Sequence, residues 1–213
     1  MNGKIACRDI EKGAEAVKDI NKVVNKPNLV VKHLNLASFT SIKNFAQDIL
    51  ENEPFIHILI NNAGVAACPK SSTDDGFEMQ FGVNHLGHFL LTNLLLDRLK
   101  VSAPARIVNV SSLAHMICSG INFNDINMDR NYRPIKAYGT GVTTYCLHPG
   151  AVHTGLGRHL GSSVGSFVGR LYEATSKRFF KSALMGAQTT IHCSVEERLA
   201  FESGLLLLVC MPA

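Results

Sequence analysis

The stretch Phe55-Ile56-His57-Ile58-Leu59-Ile60-Asn61-Asn62-Ala63-Gly64 reads as a strand that empties into a corner of small residues. A continuous apolar run of this kind, from Phe55 to Ile60, is what a strand buried on both faces requires, and such strands belong to parallel sheets. The text on either side agrees. Lys4-Ile5-Ala6-Cys7 is a short strand, and Asp9 is placed to cap a helix running to about Val23, with Ala14, Val17 and Ile20 at helical spacing. Leu29 to Leu36 reads as a strand. Ser38 then caps a helix whose Phe39, Ile42, Phe45, Ala46 and Ile49 form one apolar stripe. Gly76 to about Leu99 predicts one long helix, Arg106 to Val110 and Val142 to Leu147 two further strands, and Ala183 to about Ala200 a last helix. The polar stretch from Ile121 to Gly141 and the Ser/Gly-rich Ser162 to Phe167 read as loops. Strand and helix in alternation predict a parallel α/β sheet within a single domain, residues 1–213.

Composition narrows the function classes. Hydrophobic residues make up 46% and charged residues 18%, which supports a packed core and excludes disorder for the bulk of the chain. Lys plus Arg number 21 against 17 Asp plus Glu, a formal +4 without any dense basic run, so nucleic acid is not an expected partner. Cys7, Cys68, Cys118, Cys146, Cys193 and Cys210 contain no Cys-x-x-Cys pair, and free thiols in a reducing, intracellular compartment are expected. No leader-like apolar stretch follows Met1, and Leu205 to Met211 is too short to span a bilayer, so the chain reads as soluble.

In open parallel sheets, ligands bind just outside the carboxyl ends of the strands. The chemistry-bearing residues fall there. Asn61-Asn62-Ala63-Gly64 ends one strand, and its small corner lets a flat ligand approach the backbone, although a plain strand-to-helix turn has the same text. Ser111-Ser112 ends the next, where a hydroxyl can bond a carbonyl oxygen. His148-Pro149-Gly150-Ala151-Val152-His153-Thr154 ends a third. Asn84 sits inside a helix, where an amide is mildly unfavourable and invites a further role. His85 and His88, three apart, lack additional ligands, so no metal is expected and packed or surface histidines are the better reading.

Taken in order, Asn61-Asn62-Ala63-Gly64, Asn84-His85-Leu86-Gly87-His88-Phe89, Arg106-Ile107-Val108-Asn109-Val110-Ser111-Ser112, Ala137-Tyr138 and His148-Pro149-Gly150 resemble the short-chain dehydrogenases. The flanking Asp75-Gly76-Phe77-Glu78-Met79-Gln80-Phe81-Gly82-Val83 is most similar to the retinol dehydrogenase branch, and the likeness runs from about Ile5 to Gly204. The resemblance implies a Rossmann-like doubly wound sheet and hydride transfer between a nicotinamide cofactor, NADP, and a small lipophilic alcohol or carbonyl such as a retinoid. It implies that Ser112 orients the carbonyl, Tyr138 donates the proton and Asn84 holds a relay water. It places Arg8 at the 2′-phosphate of NADP, and Asn35 and Leu36 by the adenine. It puts Asn62, Ala63 and Gly64 along the adenosine and Val152 and Thr154 at the nicotinamide end. Full-length relatives would associate with endoplasmic reticulum or mitochondrial membranes, and a homo-oligomer is compatible with the likeness.

Three departures qualify that picture. The family opens with a strand, a glycine-rich turn and a helix that seats the pyrophosphate. Here the text starts at what reads as the second strand, and Gly161, Gly165 and Gly169 follow no strand. Four residues after Tyr138 stands Val142, where the family has a Lys that lowers the tyrosine pKa, and Lys136 lies on the wrong side. An unassisted tyrosine titrates near ~10 and is a poor proton relay. Tyr138 also runs almost directly into Gly141-Val142-Thr143-Thr144-Tyr145, leaving no helical stripe for a crossover. The expected fold is therefore an incomplete sheet lacking the first βα unit and one crossover helix. Beside the active oxidoreductase stands the alternative of a catalytically inactive splice or truncation product without productive cofactor binding.

Overall fold

The computed structural model describes residues 2–25, 28–112, 121–130, 132–133, 146–149, 151–152, 154–159, 162–163, 165–196 and 207–208. Strand β1 (Asn2–Cys7) leads through α1 (Ile10–Val23) to β2 (Asn28–His33), and α2 (Phe39–Asn52) leads to β3 (Ile58–Asn61). Then come α3 (Met79–Phe81), a π-helical turn (Gly82–Gly87), α4 (His88–Val101) and β4 (Arg106–Val110). They are followed by β5 (Cys146–His148), a 3-10 turn (Gly155–His159), α5 (Ser166–Phe179), α6 (Ala183–Val195) and β6 (Leu207–Leu208).

The strands pair only in parallel, and they form two sheets: β1-β2, and β3-β4-β5-β6. This is the Rossmann-like α/β architecture with its sheet incomplete. Whether a helix joins β4 to β5 falls on residues 113–120 and 134–145, which lie outside the described residues.

Helices α2 and α4 hold both sheets. Their apolar stripes meet in one core of Ile42, Phe45, Ala46, Ile49, Leu91, Leu95 and Leu99, against which Ala6 of β1, Leu59 of β3 and Ile107 of β4 pack. The caps form as the sequence predicts. The Asp9 carboxylate accepts from the Lys12 amide at 3.1 Å, and the Ser38 hydroxyl accepts from the Ser41 amide at 3.5 Å. Arg98 ties α4 to the end of α2 by donating to the carbonyls of Glu53 and Leu50.

Some expectations need correction. Only Ile58–Asn61 of the apolar run is strand, and it is not buried on both faces: Phe55 is 59% and Ile60 45% exposed. The cause is the break in the sheet, because β3 has a neighbour on one side only. The long helix starts at Met79 rather than Gly76, where the Glu78 carboxylate accepts from the amides of Gln80 and Phe81 as its N-cap. It is interrupted by the π-helical turn that contains Asn84. Of the strand expected over 142–147, the described part is Cys146–His148, and residues 142–145 lie outside the described residues. The Ser/Gly-rich stretch expected to remain loop passes into α5 at Ser166.

Candidate functional site

A cavity of about 1160 Å³ lies between the two sheets. Its rim is built from strand ends: Arg8 after β1, Asn35 and Leu36 after β2, and Asn62, Ala63 and Gly64 after β3 all line it. Six of the residues singled out in the sequence are thereby brought to one place. Arg8 is exposed. Its charge and that of Arg158, which also lines the cavity, both act to lower the pKa of the buried Cys68 thiol. Burial, and next the Glu78 carboxylate, nevertheless push the Cys68 thiol above its ordinary value, which makes it an unreactive thiol. Cys7 and Cys68 are free thiols.

The corner after β3 is fixed by side chains from the interrupted helix. The Asn84 amide makes a matched pair with the Val65 main chain: Oδ1 accepts from the Val65 amide and Nδ2 donates to the Val65 carbonyl, each at 2.8 Å. An amide has two lone pairs and two protons, so this pair leaves one of each for a further ligand such as a water. A π-helical turn is often found where a helix must present a group at a site, and here it is the turn that carries Asn84. Gly64 is small for a specific reason. A Cβ there would come within 3.3 Å of Asn84 Oδ1, so the glycine makes room for the amide. Gly87 serves the same helix, since a Cβ would lie 2.7 Å from the Leu36 carbonyl oxygen.

Other residues of this corner were given no role at the site by sequence reasoning. His88 Nε2 bonds the Ala63 carbonyl at 2.8 Å. Burial holds its pKa below the ordinary value, and Nδ1 is buried without a hydrogen-bond partner. Asn61 donates to Thr92 Oγ1 (3.0 Å) and Asn109 Oδ1 (2.7 Å), while its own buried Oδ1 has no partner. The Gln80 carbonyl accepts from the Ala67 amide, and its Nε2 donates to the Tyr132 hydroxyl, which donates in turn to the Cys68 carbonyl. Burial and then Glu78 push the Tyr132 phenol far up, so it stays a neutral, structural hydroxyl. The expectation of packed histidines fits the two rings: His85 lies 5.3 Å from the Phe81 ring and 6.2 Å from Phe89. No cluster of metal ligands occurs among the described residues.

The remaining predicted residues sit elsewhere. Ser112 is half-buried two residues beyond β4. Val152 packs where a Gly186 Cβ would fall, 2.5 Å away at the start of α6, and it bridges to Lys181. Exposed Thr154 accepts from the Leu156 amide through its hydroxyl. Neither of these two lines the cavity. Tyr138 and Val142 lie outside the described residues.

These residues fit NADP in part. Asn35, Leu36, Asn62, Ala63 and Gly64 gather as an adenosine end needs, with the Arg8 guanidinium available for a 2′-phosphate. Among the described residues the pyrophosphate finds no such fit. Helices α2, α4 and α6 line the cavity with Phe45, Ile49, Leu91, Leu95, Thr190 and Val195 rather than with a glycine-rich N-terminus.

The family model described as short chain dehydrogenase matches residues 2–120. Human retinol dehydrogenase 13 is 46% identical over 220 residues, covering 94% of this chain and 66% of its own length, and human retinol dehydrogenase 12 is 47% identical with 94% and 67% covered. The chain thus spans about two-thirds of the length of these curated relatives. The aligned span of 220 positions exceeds this chain's own 213 residues, so the relative carries residues without a counterpart here. Among solved structures, YwfH, an NADPH-dependent reductase of bacilysin biosynthesis, superposes with a TM-score of 0.71 at 15% identity, covering 100% of this chain and 89% of its own. An NADPH-bound short chain oxidoreductase from Pseudomonas aeruginosa PAO1 gives 0.64 at 15% identity, with 97% and 84% covered. At these identities the two structures support the fold alone.

Proposed function

The chain belongs to the short-chain dehydrogenase family, and from that premise we propose an oxidoreductase function of the retinol dehydrogenase kind. The substrate class is a small lipophilic alcohol or carbonyl such as a retinoid, and NADP supplies the hydride chemistry when bound. The observation that carries this reading is the gathering of Arg8, Asn35, Leu36 and the Asn62–Gly64 corner around one cavity, in a chain 46% identical to human retinol dehydrogenase 13. In this reading the Ser112 hydroxyl orients the substrate oxygen, the Tyr138 hydroxyl holds the proton to be moved, and the remaining Asn84 amide valences position a water behind it. Val152 and Thr154 serve the nicotinamide end.

A second reading has its own observation. Val142 stands four residues after Tyr138, where a cation would lower the phenol pKa, and the described residues that line the cavity offer no cradle for a pyrophosphate. On this reading the chain keeps the family scaffold and does not turn over. Titration of the purified chain with NADPH, followed by cofactor fluorescence and by thermal shift, separates the two. Saturable binding in the micromolar range together with NADPH-dependent reduction of retinal supports the first and removes the second. Silence at millimolar cofactor removes the first.

A further inference from the structure

Backbone strain is gathered in one place. Among the described residues, the non-glycine residues with positive φ are Ala67 at 51° and Met128 at 50°. An L side chain enters that region at a cost, so such residues persist where their surroundings hold them, and they concentrate at functional sites. Ala67 lies in the segment that follows β3, and Met128 in the segment 121–130. The two segments are tied together. Asn127 Oδ1 accepts from the Glu78 amide at 2.9 Å, and its Nδ2 donates to the Gly76 carbonyl at 3.3 Å. The Lys70 ammonium pairs with Asp129 at 3.0 Å.

Met128 is held by its own turn: its amide donates to the Asp125 carbonyl at 3.1 Å, and Asp125 Oδ1 accepts from the Asp129 amide at 2.8 Å. Ala67 is held from a distance. Its amide donates to Gln80 Oε1 at 2.8 Å, Gln80 Nε2 donates to the Tyr132 hydroxyl at 2.9 Å, and that hydroxyl donates to the Cys68 carbonyl at 2.8 Å. The bonds run in one direction around a ring, so each polarises the next. The ring leaves the main chain at Ala67 and returns to it at Cys68, which fixes the peptide groups on both sides of the strained residue. Water is kept out, with Gln80 1% and Ala67 5% exposed. Glu78 Oε1 is 3.3 Å from the phenol oxygen, but it accepts from the Gln80 amide, and the phenol proton goes to the nearer Cys68 carbonyl.

Ala67 stands two residues from Val65, whose amide and carbonyl hold the Asn84 side chain. Gln80 and Asn84 are four apart on the interrupted helix, and they grip this segment at 67 and 65. A rotation of Ala67 out of the left-handed region would move the Val65 main chain, and Asn84 with it. We infer that Tyr132 and Gln80 are positioning residues: together they hold Ala67 left-handed and so fix the Val65 main chain that orients the Asn84 amide. The effect on turnover rests on the oxidoreductase reading above; the effect on the main chain does not. Position 132 must then offer an oxygen that accepts and donates at once, which a tyrosine hydroxyl does and a phenylalanine cannot.

Tyr132→Phe tests this, because Asn127 and Lys70 still tie the two segments when the hydroxyl is gone. The Val65 and Ala67 amides should exchange about tenfold faster than in the parent chain, the loss of one hydrogen bond, while Leu59 in the β3–β4 ladder is unchanged. Adding Ala67→Gly should reverse the change at Val65, since glycine keeps a positive φ without help. Where the parent chain reduces retinal with NADPH, Tyr132→Phe should lower kcat by about tenfold with KM for NADPH unchanged, and the double variant should recover most of it. A parent chain without turnover removes the oxidoreductase reading, and the exchange of Val65 still decides the positioning. Three results would overturn the inference: unchanged Val65 exchange in Tyr132→Phe, a double variant that exchanges as fast as the single one, or an active parent whose kcat the substitution leaves alone. If Tyr132→Phe does not fold, the double variant should. Failure of both would make the hydroxyl a general stabiliser of the core and overturn the inference as well.

Discussion

The α2/α4 layer and the α1/α6 layer differ in what they bury. The first contributes Ile42, Phe45, Ala46, Ile49, Leu91, Leu95 and Leu99 to a closed core. The second buries Gly13 in α1 and Gly186, Thr189 and Ser194 in α6, while Leu184, Met185, Ile191 and Val195 remain exposed. Composition does not explain this, since α6 has apolar residues to offer. Connection does. Helices α2 and α4 pack on each other and reach both sheets across the cavity, so their contacts do not depend on a strand between β1 and β3. Helix α6 packs on β4 and β5, and its Ile191 and Val195 look onto the cavity, where a sheet surface would be needed to cover them. One missing strand therefore opens one layer and leaves the other closed.

Substitutions can break that contrast. Leu95→Ala, at a side chain 2% exposed, should destabilise the chain by about 2–5 kcal/mol in urea unfolding, because a cavity is left in a core that cannot collapse. Gly87→Ala should cost about 1–3 kcal/mol, since the new methyl meets the Leu36 carbonyl and pushes the helix off the end of β2. His88 gives a pH signature rather than a fixed loss. Its folded-state pKa lies below the ordinary 6.5, so the unfolded chain takes up the proton first. Stability should be unaffected by this group above about pH 7. It should fall as the pH drops below the ordinary histidine value and level off below the depressed native one. Denaturant midpoints between pH 7.5 and 5 should show a shallower slope in His88→Gln. Ile191→Ala, on the open layer at 47% exposure, should change stability by no more than about 0.5 kcal/mol. A loss there equal to that of Leu95→Ala would mean that the two layers are equally closed.

Local signals carried much of this fold into the sequence. The caps Asp9 and Ser38, the α2 stripe and the strand-end corners are each written within a few residues, and each forms. What was not legible depends on residues far apart. Gln80 and Glu78 meet Tyr132 across more than fifty positions, and Asn61 meets Asn109 across 48, so neither network has a local pattern. The π-helical turn was hidden because its cause is the docking of Asn84 on Val65 and of Gly87 on Leu36, not a residue type. The exposure of Ile60 was misread for the same reason: the run Phe55 to Ile60 is composed for a sheet interior, and only the order of strands reveals that one of its edges has no neighbour. At the cavity, the gathering of Arg8, Asn35, Leu36 and residues 62–64 was legible because these residues sit at strand ends. The placement of Val152 depends on α6, 34 residues further along at Gly186, which no motif announced.

Amide hydrogen exchange along β1 and β3 of the unliganded chain tests the open edges of the two sheets most directly. If the sheets face each other across the cavity, the amides of Leu59 and Asn61, laddered to β4, and of Ile5 and Cys7, laddered to β2, are protected. Those of Lys4, Ala6, Ile58 and Ile60 then exchange at least tenfold faster. Uniform protection along both strands would contradict the account, since it would require a strand already in place between them.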